Sequence, residues 1–178
     1  QSDPDYQFSA VLTCCLPPVM TQTNVLCNGQ CTGTATATPQ GTVSPWDYVW
    51  TGPAGPVLTQ NNISTPSTAT GLCAGTYTVS VTDNNGCVSS NMVTITQPTA
   101  LTAVMNSTPA SCGSSTGSAS VTAGGGTGAY TYSWTPGGQT SPTATGLAAG
   151  NYTVTVTDGN GCTQTGTVTV ASTASGTA

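Results

Sequence analysis

The sequence contains no lysine, arginine, glutamate or histidine, and its only charged side chains are five aspartates among 178 residues. A chain without cations cannot neutralise phosphate, which excludes nucleic acid as a partner and attraction to an anionic membrane surface. Without histidine or lysine, it cannot build a Ser–His or Cys–His pair or use a lysine base. We therefore predict that the protein is not an enzyme and needs no cofactor.

Long apolar runs are also missing. No stretch approaches the roughly 20 apolar residues of a membrane-spanning helix, so we expect no membrane insertion. The helix formers glutamate, lysine and arginine are absent, whereas threonine, valine, serine and glycine are abundant. This composition predicts an all-β protein with almost no helix.

The most informative feature present is an internal repeat. Residues 71–87, GLCAGTYTVSVTDNNGC, return at residues 146–162 as GLAAGNYTVTVTDGNGC, with thirteen of seventeen positions identical. Alternation of Tyr77, Val79 and Val81 with hydroxyl residues predicts a half-buried strand. The Asp, Asn and Gly residues that follow predict a tight hairpin turn. The chain is therefore predicted to hold two copies of one β unit.

The repeat divides the chain into a leader, residues 1–18, and two modules, residues 19–98 and 99–178. Each module has the size of a β-sandwich, with Trp50 or Trp134 expected in its core. From the tryptophan to the glycine of the hairpin there are 21 residues in the first module and 12 in the second. We expect the nine extra residues, around Pro56 to Ser64, to form a protruding loop.

The leader has its own strand pattern, which Pro17 and Pro18 are expected to end. It is either an extra edge strand of the first module or a strand that pairs with the sheet of a neighbouring molecule. Its adjacent cysteines, Cys14 and Cys15, could bond to each other, stay reduced or bridge to another chain. The alternating residues that would face the partner sheet are Tyr6, Phe8, Ala10 and Leu12.

The eight cysteines indicate disulfides and an oxidising compartment. Each module has a cysteine in its predicted first strand and another after its hairpin turn, which predicts one bridge per module. Two further cysteines of the first module have no counterpart in the second, so they are expected to pair. A zinc site would have only cysteine ligands, and we predict no metal centre. The predicted bridges are Cys27–Cys87, Cys112–Cys162 and Cys31–Cys73.

Other candidate sites lie in turns and loops. Asp83 and Asp158 are expected to stabilise their turns by side-chain hydrogen bonds; calcium binding is the alternative, with only one carboxylate per turn. Trp46 has no counterpart in the second module, so it is a candidate for stacking on sugar or for a subunit interface. Three glycosylation sequons begin at Asn62, Asn106 and Asn151.

The combined pattern Cys-Asn-Gly, Tyr-x-Trp and Gly-Leu-x-Ala-Gly-x-Tyr-Thr-Val-x-Val-Thr-Asp-x-Asn-Gly-Cys resembles the SprB-type repeat of large surface adhesins in gliding Bacteroidota. The resemblance extends over both modules and leaves out the leader. It implies that the modules are immunoglobulin-like, PKD-like β-sandwiches. It also implies an exported surface or appendage protein at the bacterial cell surface, without catalytic activity.

Two functions follow as hypotheses. The first is a structural subunit of an extracellular, pilus-like filament, in which copies of the chain pair through the leader strand into a helical homopolymer. The second is a module of a cell-surface adhesin that binds glycans through its loops and Trp46. Sugars attached to the chain are expected in either case.

Overall fold

Within residues 15–41 and 43–173, the computed structural model contains thirteen β-strands and no helix. No element in this described part could therefore cross a membrane as a helix. The first seven strands are β1 (Leu16–Thr23), β2 (Gly33–Gln40), β3 (Trp46–Gly52), β4 (Gly55–Ile63), β5 (Ser67–Leu72), β6 (Gly75–Thr82) and β7 (Val88–Ile95). The others are β8 (Thr102–Thr108), β9 (Gly117–Gly124), β10 (Thr131–Thr135), β11 (Thr143–Leu147), β12 (Gly150–Thr157) and β13 (Thr163–Val170).

The strands form two compact units. The described part of the first unit comprises residues 15–24 and 31–96, and that of the second comprises residues 25–30 and 97–173. The predicted boundary between the modules, 98/99, lies two residues from the observed one. Residues 25–30, assigned to the first module from the sequence, are instead part of the second unit.

The first unit consists of a three-stranded sheet, β1-β2-β5, and a four-stranded sheet, β4-β3-β6-β7. All pairs are antiparallel, and Trp50 of β3 lies opposite Val79 of β6. The second unit repeats this order as β8-β9-β11 and β10-β12-β13, without a counterpart of β4. Apart from this strand, the order is that of an immunoglobulin-like sandwich. The prediction of two tandem immunoglobulin-like sandwiches is confirmed.

Period-two alternation determines the core of each unit. In β6 the side chains of Tyr77, Val79 and Val81 are buried, and those of β12 follow the same pattern. Trp50 is 0% exposed and Trp134 is 1% exposed, as expected for core tryptophans. These large rings fill the space between the two sheets, which lie about 10 Å apart in such folds.

The nine extra residues of the first module do not form a loop, so that prediction was wrong. They form most of β4, which pairs with β3 from Gly52 opposite Gly55 to Trp46 opposite Ile63. The valine, leucine and threonine of this segment favour a strand, and two register shifts accommodate its irregular pairing.

The leader also differs from the prediction. Pro17 and Pro18 do not end a strand but lie inside β1, an edge strand of its sheet. The register shifts between Leu16 and Val19, where the prolines lie, because proline cannot donate to the ladder and is tolerated at edges and bulges. The predicted leader strand, residues 6–13, lies outside the described residues.

Candidate functional site: turns, disulfides and sheet edges

The aspartate after β6 organises the hairpin turn. Asp83 Oδ1 accepts hydrogen bonds from the N–H groups of Asn85, at 2.9 Å, and Cys87, at 2.8 Å. Asp158 makes the equivalent bonds after β12 at the same two distances. The predicted role of both residues in stabilising their turns is confirmed.

The second oxygen of each carboxylate reaches a different loop. Asp83 Oδ2 accepts from the Val43 N–H at 3.3 Å, and Asp158 Oδ2 accepts from the Thr127 N–H at 2.9 Å. These loops precede β3 and β10, so each aspartate holds its turn against the start of the strand that carries the core tryptophan. A calcium ion at either turn would have to displace these bonds.

The turn hydrogen bonds also set the charge state of the aspartates. The N–H of Cys87 lowers the pKa of Asp83 below its ordinary value, although burial opposes this. Burial is the largest influence on Asp158 and raises its pKa, but the N–H groups of Cys162, Thr127 and Asn160 together outweigh it. The pKa of Asp158 is therefore also lowered, and both turns carry a negative charge at neutral pH.

A tyrosine in each unit makes a hydrogen bond that the sequence analysis missed. The hydroxyl of Tyr77 donates to the carbonyl of Cys73 at 3.0 Å, and that of Tyr152 donates to Ala148 at 3.1 Å. Each bond reaches four residues back, across the turn into β6 or β12, like the tyrosine corner of immunoglobulin-like domains. The signal was the tyrosine at a fixed position of the repeated motif.

The disulfides follow the prediction at one of three bridges. The structure contains the predicted bridge between Cys31 and Cys73. It does not contain Cys27–Cys87 or Cys112–Cys162; its other bridges are Cys15–Cys87 and Cys27–Cys162. Cys14 lies outside the described residues.

The position of Cys27 explains the difference. Cys27 lies in the loop between β1 and β2, not in a strand, and its segment is part of the second unit. There its Cα is 5.6 Å from that of Cys162, within the usual range for a disulfide. Beside the bridge, the Asn160 side-chain amide donates to the carbonyl of Leu26 at 3.0 Å. Cys112, the partner predicted for Cys162, is exposed and free of disulfides.

A glutamine in each unit bonds beside the strand that carries the core tryptophan. In the first unit the Trp50 indole donates to Ser67 Oγ at 2.9 Å, and Ser67 in turn bonds to Gln60 of β4. In the second unit the Trp134 indole donates instead to the carbonyl of Ser141 at 2.9 Å. The backbone carbonyl of Gln139 accepts from the backbone N–H of Trp134 in β10 at 3.0 Å, and its side-chain amide bonds to the backbone of Thr145 in β11 at 2.9 and 3.0 Å.

The sheet edges carry no charge. Eight of the thirteen strands lie at an edge: β1, β4, β5, β7, β8, β10, β11 and β13. None contains an aspartate, and the chain has no other charged residue type. Natural proteins commonly protect edge strands from pairing with other chains by placing charged side chains on them. That protection is absent here.

The candidate sugar sites are accessible. Asn62, Asn106 and Asn151, the sequon asparagines, are all exposed. Asn62, the last residue but one of β4, has a φ of 58°, and its N–H donates to Asp47 Oδ1 at 2.8 Å. Trp46, the candidate for stacking on sugar or for a subunit interface, is half-buried. Close to it in the chain, an open polar depression is lined by Pro45, Asp47, Asn61, Asn62, Asp83 and Asn84, among others.

Comparison with known proteins identifies the repeat. The family model of the SprB repeat matches residues 19–55 and 105–139. Two segments of the chain are therefore similar to the SprB repeat. The resemblance inferred from the sequence is confirmed, although each matched segment stops before the hairpin of the internal repeat. No curated protein matches the chain.

Solved structures similar to the chain have immunoglobulin-like domains. Three N-terminal domains of the outer capsid protein Hoc of bacteriophage RB49 give a TM-score of 0.47 at 18% identity, covering 88% of this chain and 58% of that one. A C-terminal fragment of intimin, in complex with the intimin-binding domain of its receptor, gives 0.48 at 18% identity, covering 88% and 64%. The chain therefore spans less than two thirds of either structure.

Proposed function

We propose that the protein is a structural subunit of an extracellular bacterial filament, in which copies associate by β-strand pairing through leader residues 6–13. The observation that carries this proposal is the absence of charge from all eight edge strands of the described sheets. An uncharged edge offers its free N–H and C=O groups to a strand from another molecule.

The leader has the residues that such a pairing needs. Tyr6, Phe8, Ala10 and Leu12 alternate with other residues, so a strand of this segment would turn them to one side. That side could cover apolar surface of a neighbouring copy, while the backbone supplies hydrogen bonds to an edge. The same mode of strand addition gives strong association in pilus assemblies.

Further properties agree with a structural role outside the cell. The three disulfides among the described residues are of the kind that forms and persists in an oxidising compartment. The absence of lysine and arginine removes every site for trypsin-like proteases. SprB repeats and disulfides support a location at the cell surface or beyond it. The role we propose for the protein is not catalytic.

Negative-stain electron microscopy of the full chain tests the proposal. We expect regular fibres from the full chain and separate particles after deletion of residues 1–13. Phe8→Asp should also abolish fibres, because it places a charge on the side of the leader that covers the partner. Gln7→Asp is the matched control, since the same charge then lies on the opposite side. Fibres from the deleted protein would refute assembly through the leader.

A second function, glycan binding by a cell-surface adhesin, is favoured by the polar depression in the first unit. Exposed Asn61 and Asn62 supply amide groups there, and the aromatic side chain of Trp46 is near in the chain. Such amides bond to sugar hydroxyls, and an aromatic ring stacks on the sugar face. A glycan array probed with the full chain would detect binding. Loss of signal in Trp46→Ala but not in the same-strand control Val49→Ala would support this function.

A further inference from the structure

Two turns in the protein are alike and each presents a cysteine. Between β1 and β2, the Gln30 N–H donates to the carbonyl of Cys27 at 3.2 Å; between β8 and β9, the Ser114 N–H donates to Ser111 at 2.9 Å. The third residue of each turn is a glycine, with a φ of 77° or 70°. Cys27 is the first residue of its turn, and Cys112 is the second residue of the other.

The two cysteines have different partners. Cys27 belongs to the second unit and is bonded to Cys162, the cysteine that follows the hairpin turn of the second repeat. Thus a turn from the sequence of one repeat is bonded to the hairpin of the next repeat. Cys112 is exposed, and no disulfide joins it to any described residue.

The hairpin that would receive Cys112 already exists in the first unit. Cys87 and Cys162 make the same two hydrogen bonds with the aspartate of their turns. The N–H of each cysteine donates to the aspartate side chain at 2.8 Å. The carbonyl of each cysteine accepts from the aspartate N–H, at 2.9 Å for Cys87 and 3.0 Å for Cys162. Asn85 is exposed at the position of Asn160, whose side chain bonds to the segment carrying Cys27. The first unit therefore contains the same kind of hairpin as the one that carries the Cys27–Cys162 bridge in the second unit.

We propose that Cys112 forms a disulfide with Cys87 of a second copy of this chain, repeating the arrangement that bonds Cys27 to Cys162. The proposal rests on the proposed function, because two copies must first meet. The second unit of one copy would then be bonded to the first unit of the next. Such a head-to-tail contact uses different surfaces on the two copies, so it extends into an open polymer unless it closes into a ring.

The chemistry needs no added oxidant. In one copy, Cys87 is already oxidised in its bridge with Cys15. Cys112 of another copy loses its proton, and its thiolate attacks the Cys87 sulfur. The Cys87–Cys112 bond forms as the Cys15–Cys87 bond breaks, and Cys15 leaves as a thiolate that takes up a proton. The number of disulfides stays constant. Until two copies meet, the bond to Cys15 keeps Cys87 oxidised and ready for the exchange.

Mass spectrometry of assembled full-length protein tests this exchange. Equal amounts of ¹⁴N- and ¹⁵N-labelled chains are assembled, blocked with iodoacetamide and digested with chymotrypsin, because trypsin has no site. We expect cross-linked peptides that contain Cys87 and Cys112, about half of them of mixed isotope, together with alkylated Cys15. Electrophoresis without reductant should show a ladder that collapses to monomer with dithiothreitol. The ladder should be lost in Cys112→Ser and kept in the control Ser114→Ala from the same turn.

The outcomes separate this inference from the proposed function. Fibres without the Cys87–Cys112 peptide, or with Cys112 bonded to Cys112, would overturn the inference and leave the filament intact. A Cys87–Cys112 dimer without fibres would support the inference and overturn the filament. Monomers with neither fibres nor the cross-link would overturn both. Cys112→Ser fibres that lack the ladder would support both.

Discussion

The two units share their hairpin, turn aspartate and buried tryptophan, but they close one side of the sandwich by different means. In the first unit β4 pairs along β3, and its Gln60 joins the bonded group of Trp50 and Ser67. In the second unit no strand lies there, and Gln139 bonds to the backbone of both neighbouring strands. The Gln139 side chain thus holds β11 and its backbone carbonyl holds β10, so this one residue fulfils part of the role of a nine-residue strand.

Features that occur in both units define the fold, whereas features that occur in only one unit can be exchanged. The tyrosine bonds and aspartate turns occur in both units with nearly the same distances. The Cys31–Cys73 bridge occurs only in the first, and Ala148 stands in the second repeat where Cys73 stands in the first. A shared core and hairpin are therefore sufficient for the sandwich, whereas the closing strand and the internal bridge are additions to it.

Replacement of the core tryptophans should have the largest effect. Trp50→Ala and Trp134→Ala should each lower the unfolding free energy of their own unit by as much as about 5 kcal/mol, because each empties the centre of a core. Guanidinium unfolding followed by circular dichroism measures the loss. Val49→Ala, an exposed change on β3, is the control and should stay within about 0.5 kcal/mol. A loss below about 1 kcal/mol in one unit would show that the two cores are not equivalent.

Removal of the bridge found only in the first unit should have the next largest effect. Cys31→Ser with Cys73→Ser should destabilise that unit by about 4 kcal/mol, because the bridge closes a loop of 42 residues that the unfolded chain would otherwise leave open. Amide hydrogen exchange, read on peptic peptides, should become faster in β2 and β5. Exchange in β9 and β11 should not change; acceleration there would mean that the units do not unfold separately.

Loss of the glutamine that closes the second unit should have a smaller effect. Gln139→Ala removes two hydrogen bonds to Thr145, each contributing about 1 kcal/mol. We expect faster amide exchange in β11 and a small decrease in the melting temperature. Gln164→Ala serves as the control, because it removes an exposed glutamine of this unit whose side chain bonds only to the adjacent Thr165 carbonyl. Equal effects of the two variants would argue that Gln139 does not close the sandwich.

Lowering the pH should have the smallest effect on the stability of the protein. The pKa values of Asp83 and Asp158 are lowered in the folded protein, so the unfolded chain binds more protons in acid. Stability should be complete above the ordinary aspartate pKa of about 3.9 and should be lost as the pH falls through the lower folded values. Melting temperatures between pH 7 and pH 2 measure this. Asp83→Asn and Asp158→Asn should flatten the profile, and an unchanged profile would contradict the assigned turn bonds.

Residue patterns alone were enough to predict the strands with regular alternation. In β6 and β12 every second side chain is buried, and the Asp-to-Gly segments between them and β7 or β13 form turns, as expected. The irregular strands were not predictable in this way. β4 has two register shifts and β1 contains two prolines, so neither shows a clean period of two.

Local residue patterns fix that the protein is all-β, that it carries two equivalent units, and which tryptophan lies in each core. These properties depend on local alternation and on a repeat that can be read along the chain. The partners of Cys15, Cys27 and Cys87 depend instead on long-range folding, because a disulfide requires two Cα atoms that come within about 6 Å of each other. The position of residues 25–30 in the second unit is such a long-range fact. It gives Cys162 a partner other than Cys112, which is exposed and has no disulfide to another described residue.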